Sequence, residues 1–449
     1  MYAVIGGAGE MGYQVARILL REGFDLAIIE RKGERIDEIS NLDALIVRGN
    51  AASPRVLKNA GVDRANIYLG LTGSDEANIV SCAIAKAKGC RTIGRIESGD
   101  YLVEPVSGSL SRFGVDTAVC PDLVASRKIA RMITTSYLVD MEIFAGGKLQ
   151  VFELPIRDFE SFAGAKVGDI PMPPGSRIIA YVRGREIFIA RPQDQLRGDE
   201  RLIIVCTDMR TIGAIGEVTG DKNLQTRVSK IMIYGATRVG IDLAKSMERR
   251  CEVILMDDNE ESCRKAAESV KDALVINGSA TDENVLEEEG ISDVDAFIAV
   301  TKYEETNMLA SLLAKQYGAK RTVALINKGA HKSMFERVGI DVAISPRLAT
   351  VGVILQNIYA GTAIAMSVMH NAELKIAEMY VDASSKIANR ILRKVKLPEG
   401  ATIVGILRGD ALLEIDDSTH ILPGDRVVIA TLADVSTKIT NIFERRKIL

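Results

Sequence analysis

The residues best placed to do chemistry form a loop, Gly7-Ala8-Gly9-Glu10-Met11-Gly12, followed further on by a carboxylate, Glu30. Three glycines at this spacing, after a strand and opening a helix, suit the wrapping of a pyrophosphate. Gly7 permits a tight turn, Gly9 lets the backbone approach phosphate oxygens, and Gly12 lets the helix pack closely on the strand. The helix N-terminus adds free N–H groups and a partial positive charge. Glu30 closes the second strand, where a carboxylate accepts hydrogen bonds from ribose hydroxyls and repels a 2′-phosphate. The pattern favours NAD(H) or an adenine nucleotide over NADP(H), although the adjacent Arg31 pulls the other way. This is binding chemistry rather than bond-making.

The chain carries the loop twice. Gly235-Ala236-Thr237-Arg238-Val239-Gly240 keeps the outer glycines, and Asp257, with Asp258 beside it, takes the ribose position. Thr237 replaces the middle glycine. Its branched side chain would crowd a pyrophosphate, while its hydroxyl could donate to a phosphate. The reading is a site that binds more weakly or takes a different nucleotide, with a purely structural copy as the alternative. The repeat runs well beyond the loops, because Gly49, Gly61, Thr72 and Asn78 match Gly278, Gly290, Thr301 and Asn307 in one register. A block held in register over this length is a duplicated domain. Thr72 and Gly73, with Thr301 and Lys302, end the fourth strand of each copy and are candidate ligand contacts; helix capping is the alternative for the threonines.

The residues that would make bonds are missing. The three histidines, His331, His370 and His420, stand away from the glycine loops and form no metal-spaced pair. No P-loop lysine, nucleophile elbow or H-E-x-x-H occurs. The six cysteines form no C-x-x-C pair and read as reduced thiols of a cytosolic protein. With 57 basic against 60 acidic residues and no Trp, the chain predicts neither polyanion affinity nor base-stacking platforms, so no nucleic-acid partner. No signal peptide and no apolar run of about 18 residues is present, which predicts a cytoplasmic protein.

The elements that must position these residues alternate. Strands are predicted at 3–5, 26–29, 44–47, 67–71, 92–96 and 116–120, with helices at 12–21, 33–41, 54–60 and 75–88 between them. A helix over 121–134 leads out of the domain. This is the βα alternation of a parallel sheet covered on both faces. From about 137 to 208 the strands shorten and turn residues separate them, as in a small β-rich or α+β module. A polar linker at 219–229 precedes the second loop. The small module also returns: Arg183-Gly184 matches Arg408-Gly409, and Arg197-Gly198-Asp199 matches Pro423-Gly424-Asp425. The expected domains are 1–121, 138–222, 228–346 and 367–449, in the order A-B-A-B. The fold class is α/β, two Rossmann-like doubly wound sheets each followed by a small α+β domain.

Further marks are Glu30-Arg31-Lys32-Gly33-Glu34-Arg35, Asp75-Glu76-Ala77-Asn78, Ala343-Ile344-Ser345-Pro346, Lys396-Leu397-Pro398-Glu399-Gly400 and Leu407-Arg408-Gly409-Asp410. With the glycine loops they make the chain resemble, over essentially its whole length, the regulatory subunits of Trk-type potassium uptake systems, which carry tandem RCK (KTN) domains. The resemblance implies a non-enzymatic regulator that binds NAD or NADH, with ATP and ADP as further candidates. It implies a homo-oligomeric gating ring under a membrane potassium-translocating subunit of the TrkH/TrkG kind, and hence a peripheral place on the inner face of the membrane. Carried onto this sequence, the nucleotide residues are Gly7, Ala8, Gly9, Glu10, Met11, Gly12, Glu30, Thr72, Gly73 and Arg95 in the first copy. In the second they are Gly235, Ala236, Thr237, Arg238, Val239 and Asp257. An NAD-dependent oxidoreductase and a regulator of another cation channel or antiporter stay open as alternatives.

Overall fold

The structure is a computed structural model. It describes residues 1–102, 110–134, 140–156, 162–184, 186–208, 212–218, 228–359, 363–369, 373–413, 415–432, 435, 439 and 442–443. His370 and most of the expected 219–229 linker lie outside the described residues. The chain divides into two units, Met1–Val124 with Pro346–Ala360, and Ala125–Ser345 with Gly361–Leu449.

In the first unit, β1 (Tyr2–Gly6), α1 (Glu10–Arg21), β2 (Asp25–Glu30), α2 (Gly33–Ile39), β3 (Leu45–Arg48) and α3 (Pro54–Asn59) make one half of the fold. The other half is β4 (Ile67–Gly70), α4 (Asp75–Ala87), β5 (Arg91–Arg95) and β6 (Thr117–Val119). The sheet order is β3-β2-β1-β4-β5-β6, all parallel. Helices cover both faces, so β4 is buried throughout and β1 is buried from Ala3 onward. The strand order reverses between β1 and β4, which opens a crevice at their carboxyl ends. Register puts Gly6 beside Ile29 and Gly70, so the glycine loop, Glu30 and the Thr72 loop emerge together.

The helix after β6, α5 (Pro121–Thr134), leads out of this sheet as the sequence predicts. Its Ala125, Ile129, Met132 and Ile133 are buried in a core of the second unit, with Ile231, Val239, Leu243 and Leu255. Conversely, the helix after the second Rossmann-like sheet packs in the first unit, against α1 and β6. Each copy gives away its trailing helix.

The second unit holds the remaining sheets. Strands β7 (Asp140–Phe144), β8 (Leu149–Pro155), β9 (Ser176–Arg183), β10 (Glu186–Ile189) and β11 (Arg201–Cys206) form an antiparallel sheet, followed by α6 (Ile212–Val218). The second Rossmann-like sheet then follows as β12 (Lys230–Tyr234), α7 (Arg238–Met247), β13 (Glu252–Asp257), α8 (Glu260–Ser269), β14 (Leu274–Asn277), α9 (Glu283–Glu288), β15 (Ala296–Ala299), α10 (Glu304–Gln316), β16 (Thr322–Leu325), α11 (Lys332–Arg337) and β17 (Val342–Ile344). Its order, β14-β13-β12-β15-β16-β17, repeats that of the first. After α12 (Pro346–Tyr359) come β18 (Ala363–Met369), β19 (Leu374–Tyr380), β20 (Arg390–Ile391), β21 (Ala401–Arg408), β22 (Ala411–Leu412), β23 (His420–Ile421) and β24 (Arg426–Leu432).

The two small sheets share one core, in which Phe144, Val151 and Ile203 meet Met369, Ile376 and Val428. Arg183 pairs with Glu200 at 2.8 Å and Arg408 with Asp425 at 2.9 Å. The sequence match of Asp199 to Asp425 therefore needs correcting: the two turn glycines, Gly198 and Gly424, both sit at positive φ, but Glu200 is the functional counterpart of Asp425. The acid stands at the same spacing from its arginine in both copies, and it is the turn glycine that is displaced by one residue, which misleads a match on residue type.

Candidate nucleotide sites

The first loop leaves β1 through Gly7, whose φ of +103° only glycine adopts readily and whose N–H donates to Ile29 O at 2.8 Å. A Cβ on Gly12 would lie 2.0 Å from Gly7 O, so that glycine clears the loop's own carbonyl rather than the strand alone. Gly9 is different. Its backbone, φ −63° and ψ 178°, suits any residue, and a Cβ there would meet no atom within 4 Å. Gly9 is the N-cap of α1 and no side chain caps the helix. Helix α1 starts at Glu10, slightly earlier than its apolar periodicity predicts, so the first-turn N–H groups open onto the crevice. Ala8 and Met11 bury their side chains, so they can offer a ligand only backbone.

Glu30 does more than wait for a ribose. Its Oε2 accepts from Ala8 N at 2.7 Å, and Oε1 accepts from Arg31 N and Lys32 N at 2.7 and 2.9 Å. The carboxylate ties the glycine loop to the end of β2. A carboxylate offers about four acceptor positions, so one remains on Oε2.

Across the crevice stands a residue that the site assignment missed. Asn78, fully buried on α4, accepts on Oδ1 from Thr72 N (2.9 Å) and Thr72 Oγ1 (2.7 Å). Its Nδ2 donates to Thr72 O (3.1 Å) and Arg95 O (2.9 Å). Thr72 is thus held by Asn78 and is not the cap of α4; Ser74 is, accepting from Ala77 N at 3.2 Å. Gly73 is exposed, with no atom within 4 Å of where a Cβ would stand. The sequence signals for Asn78 are its match to Asn307 and its place in the Asp75-Glu76-Ala77-Asn78 mark, neither of which assigns it a role. Arg95 ends β5 with its side chain largely buried; it pairs with Glu97, and its Nε is buried with no hydrogen-bond partner. Burial, and next the nearby Arg347, pull its pKa down from the ordinary guanidinium value.

The second site repeats the frame and changes its contents. Gly235 has φ +117° and donates to Met256 O at 2.7 Å. Asp257 accepts from Ala236 N at 2.6 Å and Asn259 N at 2.9 Å. Asn307 holds Thr301 as Asn78 holds Thr72, at 2.9 Å to the backbone and 2.6 Å to the hydroxyl, and reaches Leu325 O at 3.0 Å. Leu325 therefore stands where Arg95 does. Thr237 caps α7: its Oγ1 accepts from Gly240 N at 3.4 Å and donates to Val300 O at 2.9 Å. The hydroxyl that could have donated to a phosphate is committed to a carbonyl. Arg238 pairs along its own helix with Asp242 at 3.6 Å, and Val239 is buried. Tyr303 stands 69% exposed beside Lys302, where the first copy has Ser74 and Gly73.

His331 Nδ1 lies 2.5 Å from Glu304 Oε1, and His420 is exposed on β23. Burial pushes the Cys82 thiol up to about 12 and Cys251 to about 11, which suppresses thiolate chemistry. Among the described residues no cluster of His, Cys, Asp or Glu could hold a metal, and no helix is long and apolar enough to cross a membrane.

Fold and sites define a tandem Rossmann-type protein with two glycine loops of the nucleotide-binding kind, the first opening a helix that no side chain caps. The TrkA-N domain model matches residues 3–121 and 231–346, and the TrkA-C domain model matches residues 376–444. The chain belongs to the TrkA family. It is similar to a Trk system potassium uptake protein TrkA homolog of Methanosarcina mazei, 32% identical over 454 residues and covering 99% of this chain and all of that one. A TrkA homolog of Archaeoglobus fulgidus is 32% identical over 448 residues with the same coverage, and TrkA of Halomonas elongata 28% over 438 residues, covering 96% and 95%. Among solved structures, the RCK domain of GsuK covers 98% of this chain and 94% of its own at 18% identity, with a TM-score of 0.58. The GsuK channel bound to NAD covers 98% and 78% at 19% identity, also with a TM-score of 0.58.

Proposed function

We propose that this chain is a nucleotide-sensing regulator of a Trk-type potassium uptake system, taking NAD(H) at its first site. The observation that carries the reading is the uncapped helix α1 behind Gly9, in a loop locked by Glu30. Gly7 to Gly12 would hold the diphosphate through α1 N–H groups, and Glu30 would accept from a ribose hydroxyl. Thr72 and Gly73, positioned by Asn78, would line the far wall with Arg95. A dinucleotide supplies adenosine and diphosphate for recognition, and ATP or ADP offers the same chemistry. The relatives' names, Trk system potassium uptake proteins, support the transport role, and the NAD named with the GsuK channel supports the ligand.

The regulator reading is non-enzymatic. It has the boundaries 1–121, 138–222, 228–346 and 367–449, a homo-oligomeric ring, a membrane potassium-translocating partner and a cytoplasmic place at the membrane's inner face. A nucleotide changes such a partner only by binding its two states unequally, a coupling of about 1–3 kcal/mol per site. Calorimetric titration of the full chain with NADH tests the site. Glu30→Ala, which frees the loop and removes the ribose acceptor, is expected to weaken NADH about tenfold or more. Unchanged affinity, or consumption of NADH in the presence of an oxidised substrate, contradicts the reading.

A further inference from the structure

Helix α12 follows the second Rossmann-like sheet in sequence but belongs to the first unit. It packs along α1 and β6, and Thr117 Oγ1 donates to Asn357 Oδ1 at 3.4 Å. This packing sets its first turn against the first turn of α1. There Arg347 Nη1 lies 3.2 Å from Glu10 Oε2, one residue past Gly9. Arg347 is about half exposed and Glu10 mostly covered, so the pair sits at the rim of the loop. Arg95 is near enough for its charge to oppose that of Arg347, and its Nε has no partner. Two guanidiniums and an uncapped helix N-terminus thus converge beside a glycine whose Cβ would touch nothing. Each guanidinium already rests on a carboxylate, Arg347 on Glu10 and Arg95 on Glu97, so the pairs hold two forked cations beside the positive end of a helix dipole, where an anion is favoured.

We propose that Arg347 is a phosphate ligand of the first nucleotide site, so that the helix trailing the second copy reads the first copy's occupancy. This rests on the first site taking a nucleotide. Glu10 orients the guanidinium, whose fork has donors to serve both the carboxylate and a phosphate oxygen. Phosphate binding tightens α12 on α1, and α12 continues the chain from Ser345 of the other unit. Sequence reasoning had no route to Arg347, which lies a whole domain copy away from the loop it serves.

The test titrates the full chain with NADH, ADP-ribose and adenosine, for wild type, Arg347→Gln and Arg347→Lys. Arg347→Gln is expected to weaken NADH and ADP-ribose about tenfold while leaving adenosine unchanged, and Arg347→Lys to recover part of the loss. Hydrogen exchange of α12 amides is expected to slow with NADH in wild type and not in Arg347→Gln. If wild type binds NADH and Arg347→Gln binds it equally well, the proposal is overturned while the site stands. Equal weakening of adenosine and NADH also overturns it, because the effect is then structural. If wild type binds no NADH, the functional reading itself falls.

Discussion

Gly9 and Thr237 share almost the same backbone, φ −63° and ψ 178° against φ −76° and ψ 173°. The frames around them also agree, from the carboxylate on the loop to the buried asparagine across the crevice. What differs is the surface each copy turns to a ligand. The first leaves a helix N-terminus bare and sets Arg95 and Arg347 near it. The second caps its helix with Thr237 and has Leu325 in the place of Arg95. Gly9 is thus glycine for want of a side chain, not for its φ. The two copies keep what holds the loops in shape and differ in the residues around the helix N-terminus.

The largest test of this contrast is Gly9→Thr, which gives the first loop the second's residue. The backbone accepts it, so folding is expected to be unchanged. NADH affinity is expected to fall about 100-fold, equivalent to roughly 3 kcal/mol, by calorimetry. A change below threefold would break the contrast. Next come the shared parts. Asn78→Ala and Asn307→Ala each strand buried backbone partners and are expected to destabilise the chain by about 2–4 kcal/mol, read as thermal midpoints. A large effect in one copy alone would mean the frames are not equivalent.

A titrating difference gives a smaller effect. Asp295 accepts from Ser229 N (2.6 Å), Ser229 Oγ and Lys230 N and pairs with Lys320 at 2.7 Å. Burial opposes the charged form, but these partners win and hold its carboxyl at about 2. In the first copy Asn66, which does not titrate, accepts from Tyr2 N at 2.9 Å. A depressed carboxyl contributes stability above its unfolded value, lost as pH falls through the folded one. The second copy is therefore expected to lose about 2 kcal/mol between roughly pH 4 and pH 2, measured by denaturant unfolding. Asp295→Asn should flatten that slope; an unaltered slope would assign it elsewhere. The smallest effect is Thr237→Gly. It costs α7 only about 0.3 kcal/mol of capping and is expected to raise NADH affinity at the second site by less than about tenfold, since Leu325 remains.

Periodicity and glycine spacing located the sheets, both loops, Glu30 and Asp257, because βα alternation and left-handed glycines are local. The order A-B-A-B was legible from repeats. The exchanged helices were not: 121–134 reads as an amphipathic helix whichever core receives it. Arg347 was hidden for that reason. Asn78 was visible as a repeated letter and as the end of a family mark but not as a site residue, since its four bonds depend on β4, α4 and β5 meeting. Met11 and Val239 match family positions, yet their side chains pack in cores, which loop spacing cannot reveal. The acid serving Arg183 is Glu200 rather than Asp199, because the match followed a turn glycine that is displaced by one residue between the copies.

The central claim is that one copy is built for a dinucleotide and the other is not. The stoichiometry of NADH on the purified full chain tests it most directly. The account predicts one tight NADH per chain, lost in Gly9→Thr and kept when Asp257 is changed to Ala. Two equivalent NADH per chain, or a tight site that disappears with Asp257 and survives Gly9→Thr, would contradict it.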